Sequence, residues 1–128
     1  MELQNNYDVG IYCRLSRDDN NGHLESMSIV NQRQVLTDYV AEKGWNLKEC
    51  YVDDGYTGTN FDRPNFKRMI SDAENGKINC IITKDLSRLG RNYVQAGYYT
   101  DEFFVENNIR FIAINDGIDT MHDNNDIA

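Results

Sequence analysis

The sequence predicts an α/β fold: an open, mainly parallel sheet of four to five strands with helices on both faces. Short apolar stretches alternate with stretches whose apolar residues repeat at helical spacing. The connections between these stretches are short, which favours a parallel sheet with right-handed crossovers. The stretch INCIIT at 78–83 is apolar enough to be covered on both faces.

Four stretches have the apolar character of strands, and three stretches between them have helical periodicity. The predicted strands are 9–13, 46–52, 78–83 and 109–114. The predicted helices are about 29–43, which stops at Gly44, about 64–75, which begins with Pro64 and stops at Gly76, and about 93–107. The polar residues after 114 resemble the start of a further helix, so we expect a fragment of a longer protein.

Length and composition indicate one domain over residues 1–128. Apolar residues make up 40% of the chain and charged residues 27%, which is ordinary for a globular protein. No apolar run approaches membrane-spanning length, so no membrane partner is expected. Cys13, Cys50 and Cys80 are far apart and lack the spacing of metal ligands. A reduced, cytoplasmic protein is the simplest interpretation.

The net charge of −8 argues, taken alone, against a nucleic-acid-binding protein. The positions of the basic residues are more informative, because ligands of open parallel sheets bind outside the carboxyl ends of the strands. Five of the eight arginines follow predicted strand ends, and a lysine joins them. These residues are Arg14, Arg17, Arg63, Arg88, Arg91 and Lys84.

This arrangement predicts an anion site, since guanidinium groups match phosphate oxygens in pairs. The alternative is a set of solvated loop arginines that pair with nearby aspartates. Ser16 has two interpretations as well: a turn former, or a nucleophile for phosphoryl transfer. In an extended chain Arg14 and Ser16 would face the same side while Leu15 faces the other.

Five motifs in order together resemble the catalytic domain of the serine recombinases, the resolvase and invertase type of site-specific recombinase. The motifs are YCRLS (12–16), SIVNQRQ (28–34), YVDDGYTGTNFDRPNF (51–66), KDLSRLGRN (84–92) and INDGIDT (114–120). The resemblance covers nearly the whole chain. Two of the motifs look most like the large serine recombinases, which include phage and transposon integrases.

The resemblance implies a role for each matching residue. Ser16 would be the nucleophile that attacks a DNA phosphodiester and forms a 5′-phosphoserine link. Arg14, Arg63, Arg88 and Arg91 would be active-site arginines, with Arg17 and Lys84 as possible phosphate contacts. Gln32 would lie near the active site, and Asp53 would supply a carboxylate and is a candidate general base. The implied reaction uses no water, ATP or metal, so no cofactor is expected.

The sequence departs from the smaller resolvases at two places. Ser87 stands where they carry an aspartate before the first arginine of the Arg-Leu-Gly-Arg run, and the polar loop after Ser16 is longer. The family's dimerisation helix and DNA-binding region are expected to lie outside this chain. The implied partners are double-stranded DNA sites and further copies of the protein, as a homodimer and a synaptic homotetramer, and the isolated fragment is expected to be inactive.

An alternative function is a catalytically inert dimerisation or regulatory α/β module that binds an anion or a partner protein. Receiver domains have this outline, but they need acidic residues after the first strand and an aspartate at the end of the third. Here the first strand leads to Arg14 and the third to Thr83 and Lys84.

Overall fold

A computed structural model describes residues 6–15 and 29–121 of the chain. The strands are β1 (Asp8–Leu15), β2 (Asn46–Asp54), β3 (Cys80–Thr83), β4 (Arg110–Ala113) and β5 (Ile118–Asp119). The α-helices are α1 (Ile29–Lys43), α2 (Pro64–Glu74), α3 (Leu86–Leu89), α4 (Tyr93–Tyr98) and α5 (Phe104–Glu106), and a π-helical segment, Tyr99–Phe103, joins α4 to α5.

The strands form one five-stranded sheet in the order β2-β1-β3-β4-β5. The first four strands are parallel, and β5 pairs antiparallel with β4. The predicted open, mainly parallel sheet is therefore confirmed. The short edge strand β5 was not predicted, because it lies in the polar stretch after β4 and follows a tight turn at Gly117, where φ is +67°.

Helices cover both faces of the sheet, as predicted. On one face, α1 packs Leu36 and Val40 against Val9, Ile11 and neighbouring strand residues. On the other face, α2 and the helical stretch 93–106 pack mainly aromatic and aliphatic side chains against β1, β2 and β3. That second core includes Tyr12, Tyr51, Phe66, Met69, Phe104 and Phe111. The alternation of side chains along β1 thus divides the core into two layers.

The boundaries of two helices, α1 and α2, agree with the sequence prediction. α1 ends at Lys43, and Gly44 follows with a φ of +76°, a conformation that glycine adopts at low cost. α2 begins at Pro64 and is followed by Gly76, where φ is +81°. Among the helices within residues 29–121, none combines the length and the apolar character that a membrane span requires.

The predicted third helix is interrupted. Between α4 and α5 the backbone widens into the π-helical segment, where the Thr100 hydroxyl lies 3.2 Å from the carbonyl oxygen of Ala96. Phe103 and Phe104 are both buried, whereas Val105 is 61% exposed. The wider turn lets two adjacent aromatic side chains pack into the core, which simple helical periodicity does not anticipate.

A second difference concerns the ends of β1 and β2, which extend two residues beyond the predicted strands. Arg14 and Asp53 are consequently strand residues, paired opposite each other in the ladder. Part of the predicted loop 84–92 is also helical, because Leu86–Leu89 form the single turn α3. These differences bring Arg14, Asp53 and Arg88 onto regular backbone.

We expect the protein to lose stability in alkaline solution. Burial raises the pKa of Tyr12 and Tyr51 above the ordinary value of 10.0, and hydrogen bonds to Asp53 and Asp72 add to the effect. The unfolded chain therefore releases these phenolic protons before the folded chain does. Their contribution to stability is full below pH 10 and is lost as the pH rises above it.

Urea unfolding measured between about pH 9 and about pH 11 tests this expectation. The free energy of unfolding should fall across this range, and Tyr51→Phe should reduce the slope of that fall. Tyr98→Phe changes a half-exposed tyrosine and is the matched control. A slope that Tyr51→Phe leaves unchanged would contradict the assignment.

Candidate active site

The candidate active site lies at the carboxyl ends of β1, β2 and β3, where the structure gathers four of the predicted arginines. Arg14, Arg63 and Arg88 are at most 1% exposed, whereas Arg91 is exposed. Full burial of an arginine is rare and requires partners for its donors. The contacts of each guanidinium therefore decide what the site can do.

Arg14 donates to three backbone carbonyl oxygens. Its Nε lies 3.2 Å from the oxygen of Arg88, Nη1 lies 3.1 Å from that of Tyr56, and Nη2 lies 2.6 Å from that of Ser87. Two of these acceptors belong to α3, whose last carbonyls have no partner within so short a helix. Arg14 thereby caps the carboxyl end of α3 and ties it to the loop after β2.

Side chains hold the backbone of Arg14 in turn. The pairing between β1 and β3 extends only as far as Ile11, so the ladder between these two strands does not reach Arg14. Gln32 of α1 takes the place of a neighbouring strand: its Oε1 accepts from the Arg14 N–H at 3.1 Å, and its Nε2 donates to the Arg14 carbonyl at 3.0 Å. Arg88 Nη1 donates to the same carbonyl at 3.0 Å. The end of β1 is thus fixed on both sides.

Arg63, which immediately precedes α2, is also directed at α3. Its Nη2 donates to the Leu89 carbonyl at 2.6 Å, and Nη1 approaches the Arg88 carbonyl at 3.3 Å. Nε donates to the Asn60 carbonyl at 3.1 Å, and Nη1 donates to the Tyr12 hydroxyl at 2.9 Å. Arg63 and Arg14 therefore share the Arg88 carbonyl oxygen as an acceptor.

Aromatic rings surround Arg63. Its guanidinium carbon lies 4.7 Å from the centre of the Phe61 ring and 4.8 Å from that of Phe66. These cation–π contacts compensate part of the lost hydration of the buried charge. Phe61 also lies against Gly90, and a β-carbon at Gly90 would overlap its ring. Glycine at position 90 is what permits this close approach.

Asp53, at the end of β2, caps α2. Its Oδ1 accepts from the N–H of Asn65 at 3.0 Å, and its Oδ2 accepts from the N–H of Phe66 at 2.9 Å. Oδ2 also accepts from the Tyr12 hydroxyl at 2.8 Å. Three hydrogen bonds therefore anchor the 1% exposed carboxylate to the amino terminus of α2 and to Tyr12.

Arg91 completes the cluster from the solvent side. Its N–H donates to the Gly58 carbonyl at 2.7 Å, which fixes its backbone to the loop after β2. Gly58 is buried and separates two arginines: a β-carbon there would lie 2.7 Å from Arg14 Nη2 and 3.1 Å from Arg91 Cγ. The absence of a side chain at Gly58 therefore allows Arg14 and Arg91 to approach each other.

The mutual proximity of the arginines is visible in the pKa of Arg14. Burial, together with the positive charges of Arg63, Arg91 and Arg88, lowers that pKa from 12.5 to about 10. Arg14 still carries its charge at neutral pH. A site in which several arginines lie close together favours a bound anion, because the anion relieves their mutual repulsion.

Asp85 provides a carboxylate beside Arg88. Its Oδ2 lies 3.7 Å from Arg88 Nε, and its Oδ1 accepts a hydrogen bond from the Ser87 hydroxyl. Ser87, which stands where the smaller resolvases have an aspartate, thus contacts a carboxylate two residues earlier. Among residues 6–15 and 29–121, no cluster of three or more His, Cys, Asp or Glu side chains could hold a metal ion.

The structure brings together most of the residues that the sequence nominated. Arg14, Gln32, Arg63, Arg88 and Arg91 are linked through α3 and β1, and Asp53 joins them through Tyr12. Lys84 lies at the end of β3, where its carbonyl accepts from the Asn115 N–H at 2.8 Å. Ser16 and Arg17 fall outside the described residues.

Sequence reasoning missed two members of the site. Tyr12, in the motif YCRLS, and Gly58, in the loop after β2, were assigned no role. The place of Tyr12 two residues before Arg14 puts both side chains on one face of β1. The use of backbone carbonyls as the partners of Arg14 and Arg63 has no signal in the sequence.

Comparisons with known proteins agree with the fold. The family described as "Resolvase, N terminal domain" matches residues 9–128. The N-terminal catalytic domain of TP901-1 integrase is 33% identical, with a TM-score of 0.80 over 89% of this chain and 82% of that one. A resolvase family site-specific recombinase from Streptococcus pneumoniae is 25% identical, with a TM-score of 0.69 over 88% of this chain and 74% of that one.

A further relative is the "Uncharacterized immunity region protein 3" of Bacillus phage phi105. It is 32% identical over 68 residues, which are 53% of this chain and 80% of that protein.

The family match and the fold therefore define a serine recombinase catalytic domain, a class of domain that serves site-specific recombination. The chain belongs to the resolvase family and carries its N-terminal domain. The resemblance drawn from the five motifs is confirmed, including the similarity to an integrase of the large serine recombinase type.

Gly58→Ala should disrupt the arginine cluster. The new methyl group would meet Arg14 Nη2 and Cζ at 2.7 Å and 2.9 Å, and Arg14 cannot move away without losing its bonds to α3. We expect a loss of about 1–3 kcal/mol in the free energy of unfolding. We also expect a shift of the Arg14 Nε–H resonance in NMR spectra.

Gly97→Ala is the matched control for this prediction. Gly97 lies in α4, and the nearest atom to its added β-carbon would be 3.9 Å away. This variant should be as stable as the parent or gain up to about 1 kcal/mol. Equal stability of the two variants, with unchanged Arg14 resonances in both, would show that Gly58 does not set the approach of the arginines.

Proposed function

We propose that this domain cleaves and rejoins DNA by phosphoryl transfer to Ser16. The observation that carries the proposal is the cluster of four arginines fixed at the end of β1, because Arg14 is two residues from Ser16 and Leu15 ends the strand. A serine that follows directly on this strand would enter a strongly positive region. Positive charge is what a hydroxyl attacking a phosphodiester requires for its transition state.

In the proposed step, Ser16 Oγ forms a bond to the phosphorus of a DNA phosphodiester while the bond from phosphorus to the 3′ oxygen breaks. The serine proton leaves, and the departing 3′ oxygen takes up a proton. The product is a 5′-phosphoserine link and a 3′-hydroxyl end. The phosphoserine bond keeps the energy of the original phosphodiester, so a 3′-hydroxyl from an exchanged strand can attack it and restore the DNA.

The arginines divide this work according to their exposure. Arg91 is the exposed member of the cluster and is assigned direct contact with the scissile phosphate. Arg14 and Arg88 lie behind it and contribute positive charge from a buried, preorganised position. Arg17 and Lys84 are assigned as further phosphate contacts. Gln32 is assigned to hold the backbone of Arg14, two residues before Ser16.

Asp53 and Arg63 are assigned as positioning residues. Both oxygens of Asp53 accept hydrogen bonds from the α2 amino terminus, and its carboxylate is 1% exposed. This geometry favours a role for Asp53 as an anchor of α2 over a role as a general base that exchanges protons with the substrate. All three nitrogens of the Arg63 guanidinium donate to protein oxygens, which likewise favours support of α3 over contact with phosphate.

The proposed partners are double-stranded DNA sites and further copies of the protein, a homodimer that pairs into a homotetramer during strand exchange. A chain with a net charge of −8 attracts DNA weakly as a whole. Its local arginine cluster suits one phosphate, so sequence-specific binding would come from other parts of the full-length protein.

Detection of a covalent protein–DNA adduct tests the proposed nucleophile. Full-length protein would be incubated with sheared DNA from its source genome, and adducts stable in SDS would be recovered and sequenced. We expect adducts at one or a few sequences, with the nucleotide on Ser16 in mass spectra of the digested peptide. Ser16→Ala should form none, and an adduct that persists in this variant would exclude Ser16.

Arg91→Ala should slow adduct formation without unfolding the domain, because the side chain is exposed. We expect a decrease in rate of about 10²- to 10³-fold, as for the loss of one transition-state donor. Arg68→Ala is the matched control: Arg68 is also exposed, but it pairs with Glu49 at 3.2 Å, away from the cluster. An equal effect of the two variants would contradict a specific role for Arg91.

A further inference from the structure

The Tyr12 hydroxyl lies between two charged groups, the Asp53 carboxylate and the Arg63 guanidinium, whose connection was not predicted from the sequence. Its hydroxyl donates to Asp53 Oδ2 at 2.8 Å and accepts from Arg63 Nη1 at 2.9 Å. The side chain is completely buried. A phenol has one proton and can accept as well as donate, so a single neutral group satisfies the carboxylate and the guanidinium together.

The chain of hydrogen bonds continues beyond both neighbours of Tyr12. On one side, Asp53 accepts from the first N–H groups of α2. On the other side, Arg63 donates to the carbonyls of Arg88 and Leu89 at the carboxyl end of α3. The phenol therefore connects the amino end of one helix to the carboxyl end of another, across the end of β1.

We propose that Tyr12 is a positioning residue that sets the orientation of α3 and, through it, of Arg88 and Arg91. The reason is geometric. Arg63 is the group that holds the Arg88 and Leu89 carbonyls from the side of α2, and Tyr12 and Asp53 determine where the Arg63 guanidinium lies. α3 has a single turn, so it has little helical stability of its own and depends on such external hydrogen bonds.

The neutral state of Tyr12 is part of this arrangement. Burial raises the pKa of Tyr12, so the phenol keeps its proton for Asp53 at all ordinary pH values. Without the hydroxyl group of Tyr12, a gap would separate the Asp53 carboxylate from the Arg63 guanidinium. Arg63 would then be free to shift towards Asp53 and away from the carbonyls of α3.

Tyr12→Phe is the variant that isolates this role. Phenylalanine keeps the edge-to-face packing on Phe66, whose ring centre lies 5.7 Å from that of Tyr12, and removes both hydrogen bonds of the hydroxyl. Tyr51→Phe is the matched control. Tyr51 is also completely buried, in the same core on the neighbouring strand, and its hydroxyl donates to Asp72 at 2.6 Å outside the arginine cluster.

The first measurement is amide hydrogen exchange by NMR on residues 86–91, which does not depend on activity. Two amides report on α3: Gly90, which donates to the Leu86 carbonyl, and Arg91, which donates to the Gly58 carbonyl. Tyr12→Phe should speed their exchange about tenfold relative to amides of α1, and Tyr51→Phe should leave the ratio unchanged. A uniform change across the domain in Tyr12→Phe would show a purely structural role and overturn the proposal.

The second measurement is the rate of Ser16–DNA adduct formation at saturating DNA, and it rests on the proposed function. Tyr12→Phe should lower the maximal rate about tenfold while the DNA concentration for half-maximal rate stays the same. Tyr51→Phe should match the parent. If the parent itself forms no adduct, the proposed function fails, while the exchange measurement still decides the role of Tyr12.

Asp53→Ala covers the case in which Tyr12→Phe does not fold. It removes the acceptor of the Tyr12 proton, together with the oxygens that accept from Asn65 and Phe66, so exchange is again compared with amides of α1. The exchange of Gly90 and Arg91 should again increase selectively. If this variant folds with parental exchange at both amides, the connection through Tyr12 does not orient α3, and the proposal is wrong.

Discussion

The donation of hydrogen bonds from buried guanidinium groups to the carbonyls of α3 is the interaction on which the site depends. Arg14 and Arg63 approach the Arg88 carbonyl from different strands and helices, and each holds a further carbonyl of the same turn. The last carbonyls of a helix carry partial negative charge and lack partners within the helix. They therefore suit positive donors, and the donors in turn obtain the partners that burial demands.

These hydrogen bonds explain how an acidic protein can hold several buried arginines close together. Three completely or almost completely buried arginines would be unstable in an apolar core by themselves. Here carbonyl oxygens, the Asp53 carboxylate, the Asp85 carboxylate and three aromatic rings surround them. Compensation is partial, as the lowered pKa of Arg14 shows. An anion bound beside the exposed Arg91 would relieve the remaining repulsion.

The sequence was sufficient to predict that the arginines lie together, but not which groups they contact. Parallel strands bring their carboxyl ends to one edge, so Arg14, Arg63, Arg88 and Arg91 could be expected together from their positions after strands. Their partners could not be expected, since backbone carbonyls are present at every residue and carry no compositional signal. The single turn α3 was interpreted as loop for the same reason: its stability comes from distant arginines and not from its own residues. The π-helical segment and the short strand β5 likewise depend on tertiary packing around Phe103, Phe104 and β4.

The sequence separation of the groups that hold α3 has a consequence for how the protein is made. The bonds from Arg14 to α3 join residues 73 and 74 positions apart, and those from Arg63 join residues 25 and 26 positions apart. A ribosome must therefore release the chain beyond α3 before these bonds can form. Nascent chains that stall or are degraded earlier carry Arg14 and Arg63 without the α3 carbonyls that accept from them. The complete arginine cluster is thereby withheld from incomplete products of translation.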